Sequence, residues 1–85
     1  MTNFPALSGI QLIKLLCDDG WVEDRKANHG RCLIKKLPTG KTLVTFVPET
    51  RASLPEGTLL AILSVRQTQI GKKGLLELIN KYGLR

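Results

Sequence analysis

Three short strand-like segments follow one another in the middle of this chain, and they constrain its fold more than any other feature. The residues predicted to form these strands are 21–26, 31–37 and 41–47. They are joined by two turn-forming stretches, Ala27-Asn28-His29-Gly30 and Pro38-Thr39-Gly40. Consecutive strands with such short connections pair antiparallel, so the sequence predicts a three-stranded meander.

Helical patterns flank the three strands. Ser8 and Gln11 have the spacing of a capping box, and an amphipathic segment follows them as far as Gly20. Pro55 and Glu56 are typical of a helix start and precede a second apolar stripe that fades near residues 67–69. A short third helix is predicted over residues 72–82. The expected fold is therefore α+β, in the order α-β-β-β-α, with helices on one sheet face and a short C-terminal helix.

The length of 85 residues predicts a single domain spanning residues 1–85, with residues 1–7 as a lead-in. Cys17 and Cys32 are widely spaced, so we expect two buried thiols rather than a disulfide or a metal site. The N-terminal apolar run is interrupted by polar residues and is shorter than the roughly 20 residues of a membrane span. These features predict a soluble cytoplasmic protein.

The net charge of +6 favours an acidic partner, of which RNA is one candidate. Residues 25–41 contain the only histidine, His29, and no acidic residue. The same stretch contains six of the 13 basic residues, namely Arg25, Lys26, Arg31, Lys35, Lys36 and Lys41. An imidazole titrates near physiological pH, and its position among cations suits chemistry on a polyanion. A solvated basic hairpin without chemistry explains the same pattern.

Strand alternation predicts which side chains face the helices. We expect the core side of the sheet to carry Cys32, Ile34, Val44 and Phe46. The opposite, solvent-facing side is then expected to carry His29, Arg31, Leu33, Lys35, Leu43 and Thr45. Leu33 and Leu43 would form a small exposed apolar patch beside the cations, which suits a protein contact. A register error of one residue would invert this assignment.

Three segments resemble the HicA family of mRNA interferase toxins, the RNA-cleaving halves of toxin–antitoxin pairs. They are LIKLLCDDGW (12–21), the basic turn at Asn28-His29, and LPEGTLLAIL (54–63), of which the last is the most specific. The resemblance extends from about residue 8 to residue 78.

This resemblance implies a fold like the double-stranded-RNA-binding domain, metal-independent cleavage of mRNA through His29, no cofactor, and inhibition by a HicB-type antitoxin. The candidate antitoxin contacts are His29, Leu33 and Leu43. The chain departs from the common family pattern Gly-Ser-His, because Ala27 and Asn28 precede the histidine and Gly30 follows it. The departure bears on the turn geometry and on any helper histidine.

RNA is cleaved without a metal when its own 2′-OH attacks the adjacent phosphate. His29 is expected to serve as the general base or the general acid, and nearby cations favour its neutral form. Arg31 and Lys35 are expected to stabilise the phosphorane, while Lys26 and Lys36 hold flanking phosphates. A metal-dependent reaction is disfavoured because no carboxylate cluster lies near the basic stretch. A Cys32–His29 pair is disfavoured because Cys32 is predicted to point into the core.

Two other interpretations of the sequence remain. One is a non-catalytic RNA-binding module on the same fold. The other is a pure protein-interaction partner, which explains the apolar patch but gives the clustered cations no role.

Overall fold

The computed structural model describes residues 6–27, 30–65 and 67–83, without the side chains of residues 26 and 27. The elements are α1 (Gly9–Asp18), β1 (Val22–Ala27), β2 (Gly30–Lys36), β3 (Thr42–Pro48), α2 (Glu56–Leu63) and α3 (Gly71–Tyr82). The predicted α+β class and α-β-β-β-α order are confirmed. No helix among the described residues is long and apolar enough to cross a membrane.

The predicted capping box starts α1. Ser8 is the N-cap; its N–H donates to Gln11 Oε1 at 3.0 Å, while the Gln11 N–H donates to Ser8 Oγ at 3.1 Å. Leu12, Leu15 and Leu16 lie on the buried side of the helix. Cys17 is exposed, so the prediction that it is buried was wrong.

The sheet is an antiparallel meander in the order β1-β2-β3. The β2–β3 hairpin is closed by a bond from the Leu37 N–H to the Lys41 carbonyl at 2.8 Å, with Gly40 at φ +91°. The β1–β2 register is interrupted by an irregularity between Glu23 and Arg25. The two tight connections therefore produce the predicted pairing.

The sheet faces are opposite to those predicted. Leu33, Leu43 and Thr45 are buried on the side covered by the helices, whereas Val44 and Phe46 are 49% and 43% exposed. In β2 and β3 each face of the sheet carries large apolar residues, so the apolar pattern does not identify the buried face. The prediction relied instead on the cations of β2, which were assigned to the exposed face. Long cationic side chains can cross apolar surface and keep their charged ends at its edge, which allows Leu33 to be buried between two of them.

All three helices pack on this one side of the sheet around a single apolar cluster that includes Trp21, Leu59 and Leu75. α2 ends at Leu63, earlier than predicted. α3 has 12 residues and spans Gly71–Tyr82, which confirms the C-terminal helix predicted over residues 72–82.

Candidate functional site

The start of β2 follows directly after His29, the predicted catalytic residue, in the sequence. His29 itself and the side chain of Lys26 lie outside the described part of the structure. Gly30, which follows His29 in the chain, is buried and pairs with both Ala27 and Pro48. A Cβ atom at Gly30 would lie 2.6 Å from Phe46 Cζ and 2.5 Å from the Val47 carbonyl oxygen. The Phe46 ring thus lies over Gly30, and this position requires glycine.

Arg31 bridges two carboxylates. Its Nε donates to Glu49 Oε2 at 2.9 Å, and a terminal nitrogen lies 2.7 Å from the same oxygen. Its other terminal nitrogen donates to Glu23 Oε2 at 2.8 Å. These contacts raise the pKa of Arg31, chiefly through the hydrogen bond to Glu49. The prediction that Arg31 lies on the open face was wrong, because it projects from the helix-covered side and is held there by both carboxylates.

Lys35 also projects from the helix-covered side, contrary to the prediction. Its Nζ lies 3.3 Å from Asp19 Oδ2 and 3.3 Å from the Asp19 carbonyl oxygen. Since β2 places Lys35 four positions after Arg31, the two cations occupy separate places along the strand. The structure therefore gives Lys35 a contact with the end of α1 and does not bring it to Arg31.

The other described cations of the basic stretch are exposed. Arg25 and Lys36 pair in register with Cys32 and Thr42, and Lys41 lies in the β2–β3 connection. None of the three has an ion-pair partner among the described side chains. These cations remain available to an external anion.

An apolar stripe crosses the open face of the sheet. The stripe is formed by Val22, Ile34 and Val44, which are direct neighbours across the three strands. Val22 and Val44 are 61% and 49% exposed. The predicted patch of Leu33 and Leu43 is buried instead, so neither residue is positioned for an antitoxin contact.

The two cysteines do not behave as predicted. Cys32 pairs with Phe46 in register and is half-buried on the open face, so the prediction that it points into the core was wrong. Cys17 is exposed, and partial burial of its thiol together with the nearby Glu23 raises its pKa.

Three residues near the start of β2 were not among the predicted site residues. Glu49 follows Pro48, the pairing partner of Gly30, and its carboxylate is bound by Arg31. Lys14 lines a cleft with Arg31 and Glu49, and it lines a second cleft with Arg51. A sequence signal existed for Glu49, since it is the first acidic residue after the basic stretch, whereas Lys14 and Arg51 resemble ordinary surface cations.

Within the described ranges, no group of three or more His, Cys, Asp or Glu residues is arranged to hold a metal ion. Comparisons with protein-family models, with curated proteins and with solved structures each found no match.

Proposed function

We propose that this protein is the toxin of a type II toxin–antitoxin system, a metal-independent endoribonuclease that cleaves mRNA through His29. The observation that carries the proposal is the contact between Arg31 and Glu49. It lies where Gly30, the residue after His29, pairs with Pro48, the residue before Glu49. The sequence neighbours of this strand pair thus include an imidazole, a carboxylate and a guanidinium, which suit the proton transfers and the charge stabilisation of metal-free RNA cleavage.

The proposed reaction is an attack by the 2′-oxygen on the adjacent phosphorus. Glu49 takes the 2′-OH proton as the O2′–P bond forms, and His29 gives a proton to the 5′-oxygen as the P–O5′ bond breaks. The products are a 2′,3′-cyclic phosphate and a 5′-OH, and exchange with water restores both groups. His29 is assigned the acid role because Glu49, which Arg31 binds, is assigned the base role and one reaction needs both. Arg31 holds the Glu49 carboxylate and adds positive charge beside the phosphorane.

The test is RNA cleavage in EDTA by the wild type and by folded His29→Ala, Glu49→Gln and Glu23→Gln variants. Loss of a general acid or base costs about 10²–10⁴-fold in rate, so the first two variants should fall by that amount. Glu23→Gln is the matched control because Glu23 also accepts a hydrogen bond from Arg31. It should stay within about tenfold of the wild type. Full cleavage by His29→Ala would refute the catalytic proposal. Equal losses in the two glutamate variants would refute the role of Glu49.

The alternative is a non-catalytic RNA-binding module. It predicts that the wild type and His29→Ala bind RNA with the same salt dependence and that neither cleaves it. The exposed Arg25, Lys36 and Lys41 are consistent with both readings, so cleavage rather than binding separates them.

A HicB-type antitoxin is the proposed inhibitor, and cytoplasmic mRNA is the proposed target. The apolar stripe, with Arg25 and Lys36 on the same face, is complementary to an acidic protein surface that also carries apolar side chains. The apolar stripe, rather than the buried Leu33 and Leu43, is therefore the proposed surface for the antitoxin. If an acidic protein encoded beside this gene inhibits cleavage, Val44→Glu should weaken that inhibition while leaving cleavage intact.

A further inference from the structure

A cleft of about 420 Å³ lies between the first turns of α1 and the loop that joins β3 to α2. Its lining residues are Ser8, Ile10, Gln11, Lys14, Arg51 and Ser53. Lys14 and Arg51 are both exposed, and no carboxylate lines the cleft. Neither cation has an ion-pair partner in the part of the chain that the structure describes. The charge of the cleft therefore favours an anionic ligand.

The two walls of the cleft are joined by backbone contacts. The Ile10 N–H donates to the Thr50 carbonyl at 3.1 Å, and the Leu54 N–H donates to the Leu7 carbonyl at 2.7 Å. Ser8 and Ser53 form an isolated antiparallel bridge between these two bonds. Because main-chain hydrogen bonds join the two walls, the backbone of the cleft is fixed before any ligand binds.

A smaller cleft adjoins the first one on the side of the Arg31–Glu49 contact. This second cleft of about 130 Å³ shares Ile10 and Lys14 with the first and is also lined by Arg31 and Glu49. Lys14 thus lies between the Arg31–Glu49 contact and Arg51. We call these two adjoining clefts the groove. Arg31 and Glu49 line one of them, Arg51 lines the other, and Ile10 and Lys14 line both.

We propose that this groove binds the sugar-phosphate backbone of the RNA strand beside the phosphate that is cleaved. Lys14 contacts the nearer phosphate and Arg51 a phosphate farther along the strand. This inference rests on the proposed function and adds to it the path of the substrate. Both cations act by positioning the strand. An open groove with two separated cations suits a strand carrying a charge on every nucleotide better than it suits a single small anion.

The probe is a labelled 12-nucleotide RNA in which every 2′-OH is methylated, so that it binds but cannot be cleaved. Its dissociation constant is measured across salt concentrations for the wild type, for Lys14→Gln/Arg51→Gln and for Lys73→Gln/Lys81→Gln. The last variant is the matched control, since it removes two exposed cations of α3 that do not line the groove. Loss of two phosphate contacts should reduce the steepness of log K against log salt by about 1.4, because each contact contributes roughly 0.7 on single strands.

The groove variant should bind about tenfold more weakly at low salt, and the α3 variant should stay near the wild type. On cleavable RNA, the groove variant should raise KM by a similar factor while kcat changes little, because the removed contacts position the strand and move no proton. Equal weakening of both variants would show an effect of net charge alone and overturn the proposal.

A mononucleotide tests whether the groove takes a small phosphate instead. If it binds as tightly as the 12-nucleotide RNA and Lys14→Gln/Arg51→Gln abolishes that binding, the RNA path is overturned. If the wild type cleaves RNA in EDTA but the groove variant matches it in affinity, salt dependence and KM, only the groove proposal fails. A wild type that neither binds nor cleaves RNA would overturn the proposed function and the groove together.

Discussion

Replacement of Gly9 by alanine should destabilise this protein strongly, although alanine is the better helix former. A Cβ atom at Gly9 would lie 1.7 Å from the Pro48 carbonyl oxygen and 2.9 Å from the carbonyl carbon. Ordinary contact begins near 3.4 Å, so the helix would have to move by about 1.7 Å. Both clashing atoms belong to the backbone of β3 and cannot rotate away.

That movement would push α1 away from β3 and disturb the 3.1 Å hydrogen bond from the Ile10 N–H to the Thr50 carbonyl, which joins α1 to the loop after β3. Overpacking costs about 1–3 kcal/mol, and a backbone clash belongs at the upper end of that range. Each kcal/mol lowers Tm by roughly 4–8 °C in a domain of this size, so Gly9→Ala should lower Tm by more than about 10 °C. Because Pro48 pairs with Gly30, the same movement should also impair RNA cleavage.

Gly57→Ala is the matched control. Gly57 lies in α2 with nothing within 4 Å of its added Cβ atom and without a positive φ angle. Alanine there should stabilise the fold by up to about 1 kcal/mol through helix propensity alone. Urea unfolding of both variants measures the free energies. A Gly9→Ala variant as stable as the wild type would refute the close approach of α1 to Pro48.

Two further predictions concern the sheet faces and the exposed thiol. Leu33→Ala should lower the unfolding free energy by about 2–5 kcal/mol, whereas Val44→Ala should lower it by less than about 1 kcal/mol, because only Leu33 is fully buried. Urea unfolding measures both free energies. A larger loss for Val44→Ala than for Leu33→Ala would support the sheet face predicted from the sequence and contradict the structure. The raised pKa of Cys17 leaves less thiolate at a given pH, so Cys17 should react with iodoacetamide more slowly than free cysteine at pH 8. The measurement follows Cys17 modification by mass spectrometry in a Cys32→Ser background. A rate at pH 8 equal to or above that of free cysteine would contradict the raised pKa.

The candidate site was only partly predictable. The basic stretch and the sheet end next to His29 follow from the chain order. The contact between Arg31 and Glu49 joins residues 18 positions apart, and Lys35 binds Asp19 across 16 positions. These pairs depend on which sheet face each cation occupies. Because the sheet face was predicted wrongly, Arg31 and Lys35 were predicted to lie on the solvent-exposed side. The groove lined by Lys14 and Arg51 requires α1 and the β3–α2 loop to lie side by side.

Local chemistry in the sequence determined the elements and their order. The Ser8–Gln11 capping box and the Pro38-Thr39-Gly40 turn act between residues close in the chain, so their effect was readable without a three-dimensional structure. The choice of sheet face was decided only by the tertiary structure. Leu33 and Ile34 are neighbours on opposite faces with similar hydrophobicity, and so are Leu43 and Val44, so hydrophobicity alone does not select the buried face. Packing against the helices selects the buried face. The cations on that face are then held by carboxylates that lie far away in the sequence, which only the tertiary structure brings near.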